Sequence, residues 1–232
     1  MGIWTVEVTL YHKQSCPQVL SSSHGPGQQD LHVPRIIDYP QVVHQLLSQG
    51  LISLYYNSGA FGFASDTPTQ SLGWIGDDDS TIRPAARSLT RKVDSPVEQT
   101  LARLGTLTWL QRLPGTVWVT PKSHWAYELD FGSHLWMPEA LRSAGLGAAQ
   151  VADLSQRHDG AALAFEPDEG PAFQSVLLAL LTNLFGSDFL VSFPDRPVVC
   201  TVHHHKQLWW TTADPGIYSD LENRVPHSRG HA

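Results

Sequence analysis

Three consecutive stretches decide the fold: Gly160-Ala-Ala-Leu-Ala-Phe-Glu166, then Pro171-Ala-Phe-Gln-Ser-Val-Leu-Leu-Ala-Leu-Leu-Thr-Asn-Leu184, then Phe189-Leu-Val-Ser-Phe193. The first and last are short apolar runs of strand length. The middle one opens on proline, which suits the first helical position, and Gly186 follows its end as a C-terminal stop. Phe173, Val176, Leu177, Leu180, Leu181 and Leu184 recur at helical spacing and define a buried face. Strand, amphipathic helix and strand within about thirty residues is the βαβ pattern, for which a parallel pair with a right-handed crossover is expected.

Downstream, Pro194-Asp-Arg-Pro197 is turn chemistry and is short enough to return the chain antiparallel, so the expected sheet is mixed. The returning strand is Val198-Val-Cys-Thr-Val-His203, and it runs directly into His204-His205-Lys206 and then Trp209-Trp210. On an extended strand His203 and His205 share one face. Two imidazoles so placed can converge on a divalent transition metal such as zinc, but a complete site needs about three or four ligands. Candidates to complete it are His12, His124, Glu128 and Asp130. The competing reading is a strand end that meets water, with one of Trp209 and Trp210 packing inward.

Upstream, Lys122-Ser-His-Trp-Ala-Tyr-Glu-Leu-Asp130 is the second stretch that gathers functional side chains. His124 and Glu128 fall on one side whether the segment is helical or extended. That places His124, Trp125 and Glu128 near the histidine strand if the two segments meet, with Glu128 as the candidate proton acceptor. The ordinary alternative is a packed bend whose His, Tyr and Trp groups bond to backbone.

The remaining chain supplies covering elements. Ile3 to Leu10 alternates like a strand, and residues 15–30 are too rich in Gly, Pro and polar residues to pack. Pro40 to Gly50 reads as a helix with Val42, Val43, Leu46 and Leu47 on its stripe, followed by a strand over 51–56. Residues 57–70 read as a surface loop pinned by Phe61 and Phe63. Asp77, Asp78 and Asp79 read as capping a helix that carries Arg83, Arg87 and Arg91 four apart, the best anion-binding candidate. Ser95-Pro-Val-Glu98 is a capping box for a helix from Pro96 to about Leu113. Thr116 to Thr120 is a strand, and short helices follow over 138–144, 148–154 and 214–221.

The fold expected is therefore α+β (mixed α/β): a single domain over residues 1–222, with a mixed sheet covered by amphipathic helices and a C-terminal tail over 223–232. An apolar fraction of 41% with 16% charged residues suits a folded chain. A net charge of −7 argues against nucleic acid as a partner, because phosphate binding needs clustered cations. Cys16 and Cys200 make no disulfide framework, the N-terminus lacks a signal-peptide pattern, and no apolar run approaches bilayer length. A soluble, cytoplasmic protein without a membrane role is expected.

HExxH, GxSxG and CxxC are all missing from the sequence. The first functional expectation is thus a non-catalytic binding or interaction protein that uses His124, Trp125, Trp209 and Trp210, its protein or small-molecule partner undefined. The second is a metal-dependent hydrolase with His203, His205 and Asp130 as ligands and Glu128 as base. The third is an anion or nucleotide binder through Arg83 and Arg87. Whether the chain is an enzyme stays open at this stage.

Overall fold

A computed structural model describes residues 33–75, 88–92 and 115–224, all within one compact unit spanning Leu31–Ala232. The strands are β1 (Arg35–Ile37), β2 (Leu51–Ser53), β3 (Phe61–Phe63), β4 (Gln70–Ile75), β5 (Ser88–Lys92), β6 (Val117–Pro121), β7 (Ala162–Phe165), β8 (Phe189–Ser192), β9 (Val198–His203) and β10 (Gln207–Thr212). The helices are α1 (Tyr39–Ser48), α2 (Trp125–Tyr127), α3 (Met137–Ser143), α4 (Ala148–Ser155), α5 (Gly170–Asn183) and α6 (Pro215–Arg224). A π-helix over Glu128–Gly132 continues α2. The fold is α+β, and no helix among the described residues is long and apolar enough to cross a membrane.

The main sheet has the order β1-β7-β6-β8-β9-β10-β4-β5. Every neighbouring pair is antiparallel except the β4–β5 pair, which is parallel. The β7–α5–β8 unit exists, but its strands are not hydrogen-bonded to each other. β6 lies between them and is antiparallel to both, which makes β7 and β8 parallel at one remove. Local periodicity specifies the three elements; the strand that fills the slot comes from some forty residues upstream and leaves no local mark.

Apolar side chains alternate across the strands and bury both faces. On one face Val117, Val119, Leu163, Phe165, Phe189, Val191, Cys200, Val202 and Trp210 pack against Met137 and Leu141 of α3, Leu154 of α4, Phe173, Leu177 and Leu181 of α5 and Leu221 of α6. On the other, Trp118, Ala162, Ala164, Leu190 and Val199 pack against Val42 and Leu46 of α1. Leu51 and Phe61, from the two-stranded β2–β3 sheet, close that side.

Several expectations are corrected. The strand over 51–56 ends at Ser53 and belongs to the separate β2–β3 sheet, because residues 54–60 turn the chain back on itself. Phe61 is buried as expected, but within a strand rather than a loop. Ser88–Lys92 is β5, so Arg91 stands on a strand and not on the helix expected to carry it. α6 runs to Arg224, past the expected start of the tail at 223. The expected strand over 3–10, His12, Cys16, Asp77, Asp78, Asp79, Arg83, Arg87 and the helix over 96–113 lie outside the described residues.

Candidate metal centre

β9 and β10 form a hairpin in which His203 pairs with Gln207, leaving His204, His205 and Lys206 as a three-residue loop. Lys206 takes a left-handed conformation with φ 61°, as a residue closing such a loop must. The strand thus stops at His203, and His205 sits in the turn rather than two places along the strand. Turning brings three imidazoles together where the extended reading would bring two. Ring centroids are 4.1 Å apart for His203 and His204, 4.9 Å for His203 and His205, and 4.3 Å for His204 and His205.

Asp188, one residue ahead of β8, stands beside this turn. Its Oδ1 accepts from His203 Nδ1 at 2.5 Å, from His204 Nδ1 at 2.9 Å and from the His204 backbone N–H at 3.2 Å. Its Oδ2 faces Lys122 Nζ at 3.5 Å. Burial pushes the Asp188 carboxyl upward, but the hydrogen bonds from His203 and His204 and the positive charge of Lys122 outweigh it and hold the group well below the usual carboxylate range. An ionised carboxylate only accepts, so both Nδ1 atoms carry protons. In a neutral ring the lone pair then resides on Nε2.

His203 is 2% exposed, and its Nε2 is buried without a hydrogen-bond partner. Leaving such a nitrogen unmatched costs about 1–3 kcal/mol, which a cation bound there would offset. Among the described residues, His203, His204 and His205 are the group of side chains close enough to share an ion; each offers one nitrogen, and the three lie within 4.8 Å of one another. Tetrahedral zinc with bonds near 2.0–2.1 Å needs nitrogens about 3.3 Å apart. His204 and His205 are partly exposed in the turn.

The other expected site residues are distributed differently. His124 caps α2: its Nδ1 accepts from the Tyr127 backbone N–H at 3.1 Å, and its ring lies 5.3 Å from that of His158. Burial, with His158 adding to it, lowers its pKa. Asp130 is exposed on the π-helix. Neither belongs to the three-histidine group.

Glu128 is fully buried, its Oε1 accepting from Ser123 Oγ at 2.6 Å and its Oε2 from Ser187 Oγ at 2.8 Å. Burial raises its pKa against the opposing effect of the Ser123, Ser187 and Ser133 hydroxyls. Trp125, Trp209 and Trp210 stand in the core at 0%, 6% and 1% exposure, so their rings are not presented at a surface. Trp125 Nε1 donates to the Ala161 carbonyl at 2.7 Å, Trp209 Nε1 to Gln207 Oε1 at 3.1 Å, and Trp210 stacks on Phe193.

Sequence reasoning missed Asp188, His204 and Lys122. A signal for Asp188 was present: an antiparallel return through 194–197 pairs Phe189 with Val202, and one step further sets Asp188 opposite His203. An extended reading turns His204 to the opposite face from His203 and His205, because His-His-Lys contains no Gly, Asn or Asp to announce a turn. Compared with protein-family models, curated proteins and solved structures, the chain matches none.

Proposed function

We propose that the protein is a non-catalytic binding protein whose ligand is a divalent transition-metal ion such as zinc, held by His203, His204 and His205. The observation that carries this reading is the buried, unpartnered Nε2 of His203 beside two further imidazoles. Imidazole nitrogen suits zinc, copper, nickel and iron. Asp188 holding Nδ1–H of two of the rings is the carboxylate–histidine arrangement that orients metal-binding imidazoles and raises their basicity. Three protein nitrogens leave the remaining coordination to water or a second ligand.

Binding is favoured over metal-dependent hydrolysis because of Glu128. A base must reach bound water, whereas this carboxylate is shut away from solvent with each oxygen taken by a serine hydroxyl. A cytoplasmic setting is part of the proposal and rests on Cys200, which is a buried free thiol.

The test is calorimetric titration of protein purified without an affinity tag, using zinc chloride. One ion per chain is expected, with binding lost in a His203→Ala/His205→Ala double variant of unchanged circular dichroism. Absence of zinc binding by the unsubstituted protein, or equal binding by the folded double variant, would overturn the reading.

A further inference from the structure

Glu128 is a carboxylate with no exposed surface, and the two hydroxyls that donate to its oxygens come from the segments that follow β6 and precede β8. Ser123, which donates to Oε1, follows Lys122 directly; Ser187, which donates to Oε2, precedes Asp188 directly. The Lys122 backbone N–H donates to the Asp188 carbonyl at 2.9 Å, so the two segments already touch at one point. Glu128 adds two further attachments, one to each side.

The π-helix is what aims the carboxylate there. Its wider turn carries the Ser133 backbone N–H to the Glu128 carbonyl at 2.7 Å, five residues back, and Gly132 leaves room for the side chain: a Cβ on Gly132 would stand 2.8 Å from Glu128 Oε2. A single π turn inside a helix commonly marks a position where function overrides regular geometry.

We propose that Glu128 is a positioning residue of the histidine centre: by clamping Ser123 to Ser187 it fixes Lys122 and Asp188, and hence the carboxylate that orients His203 and His204. This inference rests on the metal-binding reading for its purpose, but its structural content stands on its own. It accounts for an ionisable group buried without exposed surface. The clamp acts one step removed from the imidazoles, through Asp188, and makes no contact with the ion.

The experiment follows the side-chain nitrogen resonances of His203 and His204 by NMR, alongside zinc titration, in untagged wild-type, Glu128→Gln and Ser187→Ala proteins. A glutamine keeps one acceptor oxygen and puts an N–H donor in place of the other, so one serine must turn its hydroxyl from donating to accepting. Both variants should shift the Nδ1–H signals of His203 and His204 and weaken zinc binding by about three- to tenfold, below the roughly 10–100-fold typical of a residue hydrogen-bonded to a metal-binding imidazole. A variant that lowers the melting temperature but leaves those resonances and the zinc affinity at wild-type values would overturn the proposal.

Should Glu128→Gln fail to fold, Ser187→Ala, which keeps the carboxylate and removes one donor, decides the matter by the same signals. Should the wild-type protein take no zinc, the metal-binding reading falls, and the imidazole resonances still decide whether Glu128 sets the position of Asp188.

Discussion

Trp209 lies over Gly73. The two residues are paired in register across β10 and β4, and a Cβ placed on Gly73 would stand 1.9 Å from the indole Cε3. The indole thus occupies space that a side chain on β4 would otherwise fill. Gly73→Ala should destabilise the protein by about 3 kcal/mol, the upper end of what overpacking a well-fitted site costs. Combining it with Trp209→Ala should recover part of that loss, because the clash goes with the ring. Urea denaturation of the two single variants and the double variant checks this; additive losses would show that the two residues do not compete for the same volume.

Asp188→Asn keeps an oxygen where His203 and His204 donate but removes the charge that keeps both Nδ1 atoms protonated. Zinc affinity should fall by about 10–100-fold, the usual cost of losing an orienting carboxylate. Competition against a chelator of known affinity measures it. An unchanged affinity would mean that the rings reach the ion without Asp188.

Glu128 gives a pH dependence of defined sign. Its folded-state pKa is raised from an ordinary value near 4.5, chiefly by burial. A raised carboxyl stabilises the folded state fully below that ordinary value and loses the contribution as pH climbs through the folded pKa. Relative to Glu128→Gln, which does not titrate, the wild-type protein should therefore be at its most stable near pH 4 and lose ground as pH rises. Paired denaturation curves at a series of pH values give the difference directly, and a constant difference would contradict the assignment.

The parts of the fold legible in the sequence were those that depend on neighbours along the chain. β6, β7, β8 and β9 announce themselves as apolar runs of strand length, and α1 and α5 carry proline at the start and an apolar stripe. What depends on distant partners was not legible. β6 enters between β7 and β8, and Leu51–Ser53 leaves the main sheet to pair with Phe61–Phe63. The same division runs through the site. The run of histidines is visible to anyone counting residues, yet their convergence depends on Lys206 adopting positive φ, which its side chain does nothing to advertise. Trp209 and Trp210 look like recognition residues because aromatic side chains serve surfaces and cores alike; only Gly73 and Phe193 opposite them decide for the core.

That same Lys206 supplies the last prediction. A residue with a Cβ pays roughly 1–2 kcal/mol for the left-handed region, whereas glycine enters it without strain but gives back part of the gain through its looser unfolded chain. Lys206→Gly should therefore stabilise the protein by about 0.5–1 kcal/mol, read as a higher urea midpoint at unchanged slope. Because Lys206 follows the three imidazoles and is not itself a donor of lone pairs, zinc affinity should stay within about twofold of wild type. If the midpoint falls instead, the lysine side chain contributes more to the turn than its backbone costs. If the midpoint rises while zinc affinity collapses, the constrained backbone at 206 is itself what holds His204 and His205 in reach of His203.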